Sequence, residues 1–345
     1  MEARRVITFG EIMLRLSSPG REKIIQSSSF DVTFGGGEAN VAVSLANYGF
    51  ESCFLSKIPD NDIGQAAVNH LRRFGVSDRF IVRGGTRLGI YFLESGASQR
   101  PSKVIYDRAD SAVTTLTPEE IDLSAVFAGA KWFHWTGITP AIGGNAPKML
   151  RSVLEAARRA GATISCDLNF RKKLWSTETA QATMRPLMEF VDVCICNEED
   201  AQLTLGIDAP EVDVESGELD RARYEAILHQ LKDQFGFSTV AITLRESYSA
   251  SRNGWSAIMI DNTDCATPFV SSRYEIELVD RVGGGDAFAS GLIAGLHLES
   301  DTRRALEFAV AASCLKQTIP GDFNLCSVDE VRRLVDGGGS GRIQR

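Results

Sequence analysis

Residues that build metal centres and disulfide frameworks are few in this sequence. Of its 345 residues, seven are cysteines, an odd number scattered along the chain without a C-x-x-C pair. The four histidines show no spacing typical of metal ligands. Both patterns argue against a disulfide framework and a zinc site. We expect reduced, buried cysteines, because several lie in apolar strand patterns, and histidines in the core or on the surface.

Long apolar segments are absent as well. The chain has no run of 18 apolar residues, and the short apolar stretch near its beginning ends at Gly10 and Glu11. A membrane span and a signal peptide are therefore not predicted, and with no N-x-S/T acceptor site we expect a cytoplasmic protein. The formal charge of −8 argues against nucleic acid or an anionic membrane as a partner, because both attract basic surfaces.

What the chain does contain is the pattern of an α/β protein. Its hydrophobic fraction of 43% and charged fraction of 24% suit a globular protein that buries a large core. Short β-branched or aromatic runs alternate with longer helical patterns, which predicts a mostly parallel sheet in one domain, residues 1–345. The predicted strands are 5–9, 51–55, 131–135, 163–167, 191–196, 239–243 and 256–260. The predicted helices are 39–48, 62–74, 145–160, 176–189 and 221–235.

Two segments, residues 12–34 and 86–108, do not fit this alternation. Parts of the second segment alternate like hairpin strands, which predicts a small antiparallel sheet that acts as a lid. Apolar residues on these hairpins favour a homo-oligomer, either a lid-mediated dimer or a larger assembly. Residues 208–220 are acidic without hydrophobic periodicity, so we predict an exposed insertion, and the glycine-rich tail 337–345 is predicted to be flexible.

Polar residues follow several of the predicted strands at their carboxyl ends. Ligands bind at that edge of open parallel sheets, so these residues are the first candidates for a site. Each one could be only a loop cap, but their convergence on one edge favours a site. They are Thr136 and Gly137, residues 167–171, residues 197–200, and Thr243 and Arg245.

The strongest single feature is the run Gly283, Gly284, Gly285 and Asp286, followed by a helix of small residues. Glycines let backbone amides approach an anion, and the helix N-terminus adds the positive end of its dipole. A phosphoryl group could bind there, with Asp286 accepting the proton of an attacking hydroxyl, as an aspartate does in kinases. A plain helix cap is the alternative, which three preceding glycines disfavour. A second glycine run, residues 35–37, fits a sugar contact and a tight turn equally well.

Other nucleotide-binding signatures are missing. The chain has no G-x-x-x-x-G-K-[ST] loop, no H-R-D catalytic loop and no G-x-G-x-x-G fingerprint. The missing dinucleotide fingerprint favours a kinase over a dehydrogenase.

Three motifs together resemble those of the PfkB (ribokinase-like) carbohydrate kinase family: FGGGEAN (residues 34–40), NEED (197–200) and VDRVGGGDAF (279–288). The resemblance spans nearly the whole chain. Within the family, RLGIYFLE, VIYDRADSA, GITPA and CDLNFRKKLW are most similar to 2-keto-3-deoxygluconate kinases. The resemblance implies a three-layer ribokinase-like domain with a β-sheet lid, and ATP-dependent phosphorylation of that sugar acid at its terminal C6 hydroxyl.

The resemblance also implies roles for individual residues. Asp286 is the general base, and Gly283, Gly284 and Gly285 form an anion hole for the phosphoryl group. The substrate side comprises Gly35, Gly36, Asn40, Tyr91, Tyr106, Arg108, Ile138, Arg171 and Asp322. The arginines there meet the carboxylate of the sugar acid. The ATP side comprises Asn197, Thr243, Arg245, Gly283 and Gly285, with Glu199 and Asp200 placing Mg²⁺ indirectly. A requirement for a monovalent cation such as K⁺ stays open.

The chain departs from the family pattern at three places. Asp200 stands where N-x-x-E has glutamate, Arg15 where many sugar kinases hold sugar hydroxyls with aspartate, and Arg245 follows Thr243 where a glycine is common. The Arg15 departure disfavours a kinase for fructose, ribose or a nucleoside. The remaining alternative, a noncatalytic sugar-acid or nucleotide sensor, is disfavoured by the intact Asp286.

Overall fold

The computed structural model describes residues 4–208, 218–262 and 267–338. Within them the strands are β1 (Arg5–Phe9), β2 (Met13–Ser17), β3 (Asp31–Gly35), β4 (Glu51–Ile58), β5 (Ile81–Arg83), β6 (Gly89–Glu94), β7 (Lys103–Asp107), β8 (Ala130–Thr136), β9 (Thr163–Asp167), β10 (Val193–Cys196), β11 (Thr239–Ser249), β12 (Arg252–Asp261), β13 (Phe269–Val270) and β14 (Tyr274–Glu277). The helices are α1 (Gly37–Asn47), α2 (Asp62–Arg73), α3 (Leu123–Phe127), α4 (Ile138–Ala141), α5 (Ala146–Arg159), α6 (Thr177–Leu187), α7 (Glu198–Leu205), α8 (Glu218–Phe235), α9 (Gly284–Leu298), α10 (Thr302–Lys316) and α11 (Val328–Val335). Short 3-10 helices cover Ile24–Gln26, Ala112–Thr115, Pro118–Glu120 and Met188–Phe190.

Most of the large sheet is parallel, as predicted. Among the described strands, β11, β10, β9, β8, β1, β4 and β5 lie side by side in that order and run parallel. β12 pairs antiparallel with β11, and β13 and β14 pair with β12. All four residues of β10 are apolar and buried, as expected for a strand covered on both faces. The carboxyl ends of the parallel strands meet along one edge.

Helices cover both faces of this sheet and give three layers. Residues of α5, α6, α7 and α8 pack on one face, and residues of α1, α9, α10 and α11 pack on the other. α9 and α10 pack closely, because a Cβ on Gly291 would lie 2.8 Å from Ala309 Cα. This close packing fixes the N-terminus of α9, with Asp286 in its first turn, beside the C-terminus of α10.

The two segments predicted to form a separate sheet do so. Its order is β3-β2-β6-β7, and β6 and β7 pair antiparallel as the predicted hairpin. The sheet is nevertheless mixed rather than wholly antiparallel, because β2 and β6 run parallel. Since β2 and β6 come from different segments, sequence alternation could not specify their relative direction. We call this unit the small sheet.

Two predicted boundaries fall partly on described residues. α8 begins at Glu218, so residues 218–220 of the predicted insertion are helical, whereas 209–217 lie outside the described residues. At the predicted tail, the amides of Gly337 and Gly338 donate to Leu334 and Arg333 carbonyls at the end of α11. Residues 339–345 lie outside the described residues.

Two further predictions concern cysteines and membrane spans. The six cysteines within the described residues are free and buried, as predicted, and Cys265 lies outside them. In the described ranges, no helix combines the length and apolarity that crossing a membrane requires.

Candidate active site

A cavity of about 1580 Å³ lies between the carboxyl edge of the large sheet and the small sheet. Every residue predicted for the substrate, ATP and metal sides lines it except Gly35, whereas the strand-end candidates Thr136, Gly137 and Leu168 do not. The residues brought together are Gly36, Asn40, Tyr91, Tyr106, Arg108, Ile138, Arg171, Asn197, Glu199, Asp200, Thr243, Arg245, Gly283, Gly284, Gly285, Asp286 and Asp322.

Gly35 and its neighbour Gly36 have a packing role. A Cβ on Gly35 would lie 2.1 Å from Oδ2 of Asp322, and one on Gly36 would lie 2.0 Å from the carbonyl oxygen of Glu11. Only glycine therefore lets these segments approach so closely. The tight-packing interpretation therefore holds at both glycines, and a sugar contact stays a prediction at Gly36, which also lines the cavity.

Asp286 is half-buried in the first turn of α9. Nδ2 of Asn40 donates to its Oδ2 at 2.6 Å, while Oδ1 of Asn40 accepts from the Gly36 amide at 3.1 Å. Burial raises the pKa of Asp286 to about 7, the hydrogen bond from Asn40 lowers it, and the charges of Asp322 and Glu38 raise it further. A carboxylate with a pKa near neutrality suits a general base.

Glu38 is a buried carboxyl group close enough to Asp286 for its charge to raise the pKa of Asp286. Its buried Oε1 accepts hydrogen bonds from Thr136 Oγ1 at 2.7 Å and Thr139 Oγ1 at 2.5 Å. Burial raises the pKa of Glu38, and these hydroxyls oppose the rise. The sequence patterns did not select Glu38, although it lies within the second glycine motif.

The run of glycines before Asp286 forms a tight turn. Gly283 has φ +81°, and a Cβ there would lie 2.0 Å from the Asp322 carbonyl oxygen. The Gly284 amide donates to the Arg281 carbonyl at 3.2 Å. Gly285 and Asp286 lie in the first turn of α9, where a helix provides no backbone acceptor for its amides. An anion in the cavity could accept from these amides.

Besides Arg108, three arginines line the cavity: Arg171, Arg245 and Arg281. Among the described residues, none of the three forms an ion pair. Burial lowers the pKa of Arg245, and the charges of Arg281 and Arg171 lower it further. Unpaired guanidinium groups that repel one another favour a bound anion. Arg281 was not among the predicted site residues, although its position in the motif just before the glycine turn could have identified it.

The small sheet contributes Tyr91, Tyr106 and Arg108. The Tyr91 hydroxyl donates to Oδ2 of Asp322 at 2.5 Å, and its ring centroid lies 6.0 Å from that of Tyr106. Nε of Arg108 donates to Oε2 of Glu11 at 2.8 Å. Arg108 therefore already has a carboxylate partner within the protein, unlike Arg171.

Asp322 forms an ion pair within the protein that the sequence did not indicate. Its Oδ1 accepts from Nη1 of Arg15 at 2.5 Å, and Arg15 Nη2 donates to Asp280 at 2.5 Å. Burial opposes the charge of Arg15, but these two carboxylates outweigh it, so its pKa rises. Arg15, on the small sheet, thus forms ion pairs with Asp280 and Asp322, which lie next to the glycine turn. The arginine at this departure from the family pattern therefore has a structural role.

The carboxyl edge of the large sheet also holds buried acids. Oδ1 of Asn197 accepts from the Asp200 amide at 2.7 Å, the helix cap that was the alternative reading, and Asp200 Oδ1 accepts from the Phe170 amide at 3.0 Å. Burial raises the pKa of Asp200 to about 6, with Arg171 opposing, and burial and the Asp200 charge raise that of Asp167. The described residues contain no group of three potential metal ligands. This donor set fits Mg²⁺ held mainly by phosphate and water.

Asn169, one of the predicted residues 167–171, also lines the cavity. Its backbone has φ +39°, and its buried Oδ1 finds no hydrogen-bond partner among the described residues. Such backbone strain clusters at functional sites, so Asn169 joins the candidates for substrate contact.

A family model for the pfkB family of carbohydrate kinases matches residues 3–325. The chain belongs to this family. It is therefore a carbohydrate kinase, a phosphotransferase that uses ATP. The Haloferax volcanii 2-dehydro-3-deoxygalactonokinase is 35% identical over 97% of this chain and 98% of its own length. The Bacillus subtilis 2-dehydro-3-deoxygluconokinase is 29% identical over 92% and 91%.

A solved structure agrees with this membership. The crystal structure of the Thermotoga maritima 2-dehydro-3-deoxygluconokinase superimposes with a TM-score of 0.92 at 50% identity. The match covers 97% of this chain and 99% of the other. The three-layer architecture with its additional small sheet is therefore that of PfkB kinases.

Proposed function

We propose that this PfkB kinase transfers the γ-phosphoryl group of ATP to the C6 hydroxyl of 2-keto-3-deoxygluconate, giving 2-keto-3-deoxy-6-phosphogluconate and ADP. The observation that carries the proposal is Arg171, a cavity arginine without a carboxylate partner among the described residues, placed in the cavity of Asp286. A planar guanidinium matches a carboxylate by paired hydrogen bonds, whereas a neutral sugar has no such group.

In the proposed reaction, Asp286 accepts the proton of the C6 hydroxyl. The hydroxyl oxygen forms a bond to the γ-phosphorus, and the bond to the bridging oxygen breaks, leaving ADP with the electron pair. Asn40 holds the Asp286 carboxylate in place, and its pKa of about 7 allows it to accept the proton near neutral pH.

The positive groups of the cavity divide between the two substrates. Arg245, Arg281 and the amides of the glycine turn would bind phosphate oxygens, next to Asn197 and Thr243 on the nucleotide side. Mg²⁺ would neutralise phosphate charge there, held indirectly by Glu199 and Asp200. On the other side, Arg171 would orient the carboxylate of the sugar acid. The small sheet would close over it as a lid, with Tyr106 and Arg108.

A second candidate substrate is 2-keto-3-deoxygalactonate, which differs in configuration at C4. The observation in its favour is the 35% identity to the Haloferax volcanii 2-dehydro-3-deoxygalactonokinase. Both acids present the same carboxylate to Arg171 and the same C6 hydroxyl to Asp286, so one site could accept both.

The test is a substrate panel with purified protein, ATP and Mg²⁺, followed by ADP release. The panel contains both keto acids, gluconate, fructose, ribose and a nucleoside. We expect kcat/KM for a keto acid to exceed that for fructose by about 100-fold. This is the order expected when Arg171 loses its charged hydrogen bonds, because fructose has no carboxylate. A preference for fructose or ribose would contradict the proposed substrate, and ligand binding without ADP release would support the sensor alternative. Phosphorus–proton coupling in the product identifies the phosphorylated carbon.

A further inference from the structure

Lys316 is a fully buried lysine at the C-terminus of α10. Its Nζ donates to the carbonyl oxygen of Asp280 at 2.9 Å and to that of Ile319 at 3.4 Å. Burying an ammonium group is unfavourable unless its hydrogen bonds and charge are compensated. The proposed chemistry does not use Lys316, so its burial needs another reason.

The position of Lys316 relates it to the glycine turn. A Cβ on Gly283 would lie 3.2 Å from Cε of Lys316, so the lysine stem packs directly behind the first glycine of the turn. The Asp280 carbonyl that accepts its hydrogen bond lies three residues before Gly283. Lys316 therefore both contacts the turn and ties down the segment that leads into it.

The charges around Lys316 explain why the ammonium group is tolerated. The carboxylates of Asp280 and Asp322 favour its charged form, as does that of Asp286, although burial lowers the pKa of Lys316 overall. Asp280 and Asp322 each form an ion pair with Arg15, and among the described residues Lys316 has none. Two cations thus balance two carboxylates behind the turn. Without Lys316, this group would carry a net negative charge.

We propose that Lys316 is a positioning residue whose buried ammonium group holds the glycine turn and supplies a fixed positive charge behind the phosphoryl group during transfer. The inference rests on the proposed function, which places the phosphoryl group at this turn. Negative charge that develops in the transition state is stabilised by a preorganised positive charge in a water-poor site. Carbonyl oxygens, such as those of Asp280 and Ile319, are also ligands for a monovalent cation. Because the Lys316 ammonium group already binds both of these oxygens, we expect full activity without added K⁺.

An ordinary structural role for Lys316 makes a different prediction. If the ammonium group only stabilised the fold, its loss would lower stability and leave turnover per folded molecule unchanged. Lys316→Met keeps the length of the side chain and removes the charge, and a buried methionine has no desolvation penalty. We expect kcat per folded molecule of Lys316→Met to fall about 10- to 100-fold, measured well below the melting temperature of the variant. KM for ATP and for the sugar should change less than about threefold.

The control is Lys57→Met, which removes a lysine that is 10% exposed and paired with Glu120 outside the cavity. This variant should keep the kcat of the wild-type enzyme, whatever its stability. A second variant, Lys316→Ala, leaves space beside the two carbonyl oxygens. Ammonium, methylammonium or K⁺ chloride should restore part of its kcat at constant ionic strength, relative to tetramethylammonium chloride, whose cation is too large. The same salts should leave the wild-type enzyme unchanged.

Turnover of Lys316→Met above half the wild-type kcat would overturn the inference, and so would a strong requirement of the wild-type enzyme for K⁺. The second measurement needs no variant, so it applies even if both substitutions prevent folding. Failure of the proposed function has a different signature. Wild-type enzyme that phosphorylates only another sugar contradicts the sugar acid, while the kcat ratio of Lys316→Met to wild type, measured on that sugar, still tests Lys316.

Discussion

Replacing Asp286 by asparagine should raise the free energy of unfolding and lower the activity. The native pKa of about 7 lies above the ordinary value of 3.8, mainly because burial disfavours the charge. The folded protein therefore binds this proton more tightly than the unfolded chain does. The stability that the carboxyl group contributes is fully present below pH 3.8 and is lost as the pH rises through about 7. An asparagine side chain does not titrate and avoids this loss.

The magnitude follows from the two pKa values. At 1.36 kcal/mol per pKa unit, Asp286→Asn should gain about 3 kcal/mol of unfolding free energy relative to wild type between pH 5 and pH 8. The measurement is urea unfolding followed by tryptophan fluorescence at several pH values in that range. Asp78→Asn is the control of opposite sign, because the hydrogen bond from Arg72 lowers the pKa of Asp78. Its carboxylate contributes stability that is lost only below pH 3.8, so the difference between Asp78→Asn and wild type should stay constant from pH 5 to pH 8.

A difference between Asp286→Asn and wild type that stays constant from pH 5 to pH 8 would refute the raised pKa. Activity gives an independent check, since the base must be ionised. In the wild-type enzyme kcat/KM should fall as the pH drops below about 7. Asp286→Asn should lower kcat by at least about 100-fold with ATP binding nearly intact. A variant that keeps a tenth of wild-type turnover would contradict the assignment of Asp286 as base.

Four further substitutions test the cavity. Arg171→Ala should raise KM for the keto acid by about 10- to 100-fold, and an unchanged KM would remove the reason for choosing an acidic sugar. Gly283→Ala should lower the unfolding free energy by at least about 1 to 3 kcal/mol, because φ is +81° and the Cβ would clash with the Asp322 carbonyl. Gly285→Ala, with no atom within 4 Å, should leave stability nearly unchanged, and equal losses would contradict the steric argument. Arg281→Gln should weaken binding of ADP about 10-fold more than that of adenosine by calorimetry, and equal weakening would exclude a phosphate contact.

Much of the fold could be predicted because alternation and period are local properties of a chain. The strand Thr163–Asp167 has the predicted boundaries, and helix Ala146–Arg159 differs from the prediction by one residue at each end. Among the predicted strands, the largest boundary error is β11, which continues to Ser249 because β12 extends with it as a hairpin. Pairing beyond the cavity edge depends on the partner strand, which a local pattern does not contain.

The site was predictable to the extent that it lies in motifs. Asp286, its glycines and Arg171 follow strands or precede helices at positions where ligands bind, so their convergence in one cavity could be expected. Glu38 and Lys316 could not be selected in this way, because each looks like an ordinary charged residue on a helix. Only burial distinguishes them, and burial depends on which elements pack against that helix.

By itself, the sequence determined the α/β class, the glycine turns and the presence of arginines at one sheet edge, because these depend on residue type and spacing. Tertiary structure alone decided which charges are already paired. Arg108 meets Glu11, whereas Arg15 meets Asp280 and Asp322 across more than 260 residues, leaving Arg171 unpaired. Ion pairing and pKa values depend on distance in space and on exclusion of water, and neither can be calculated from separation along the chain.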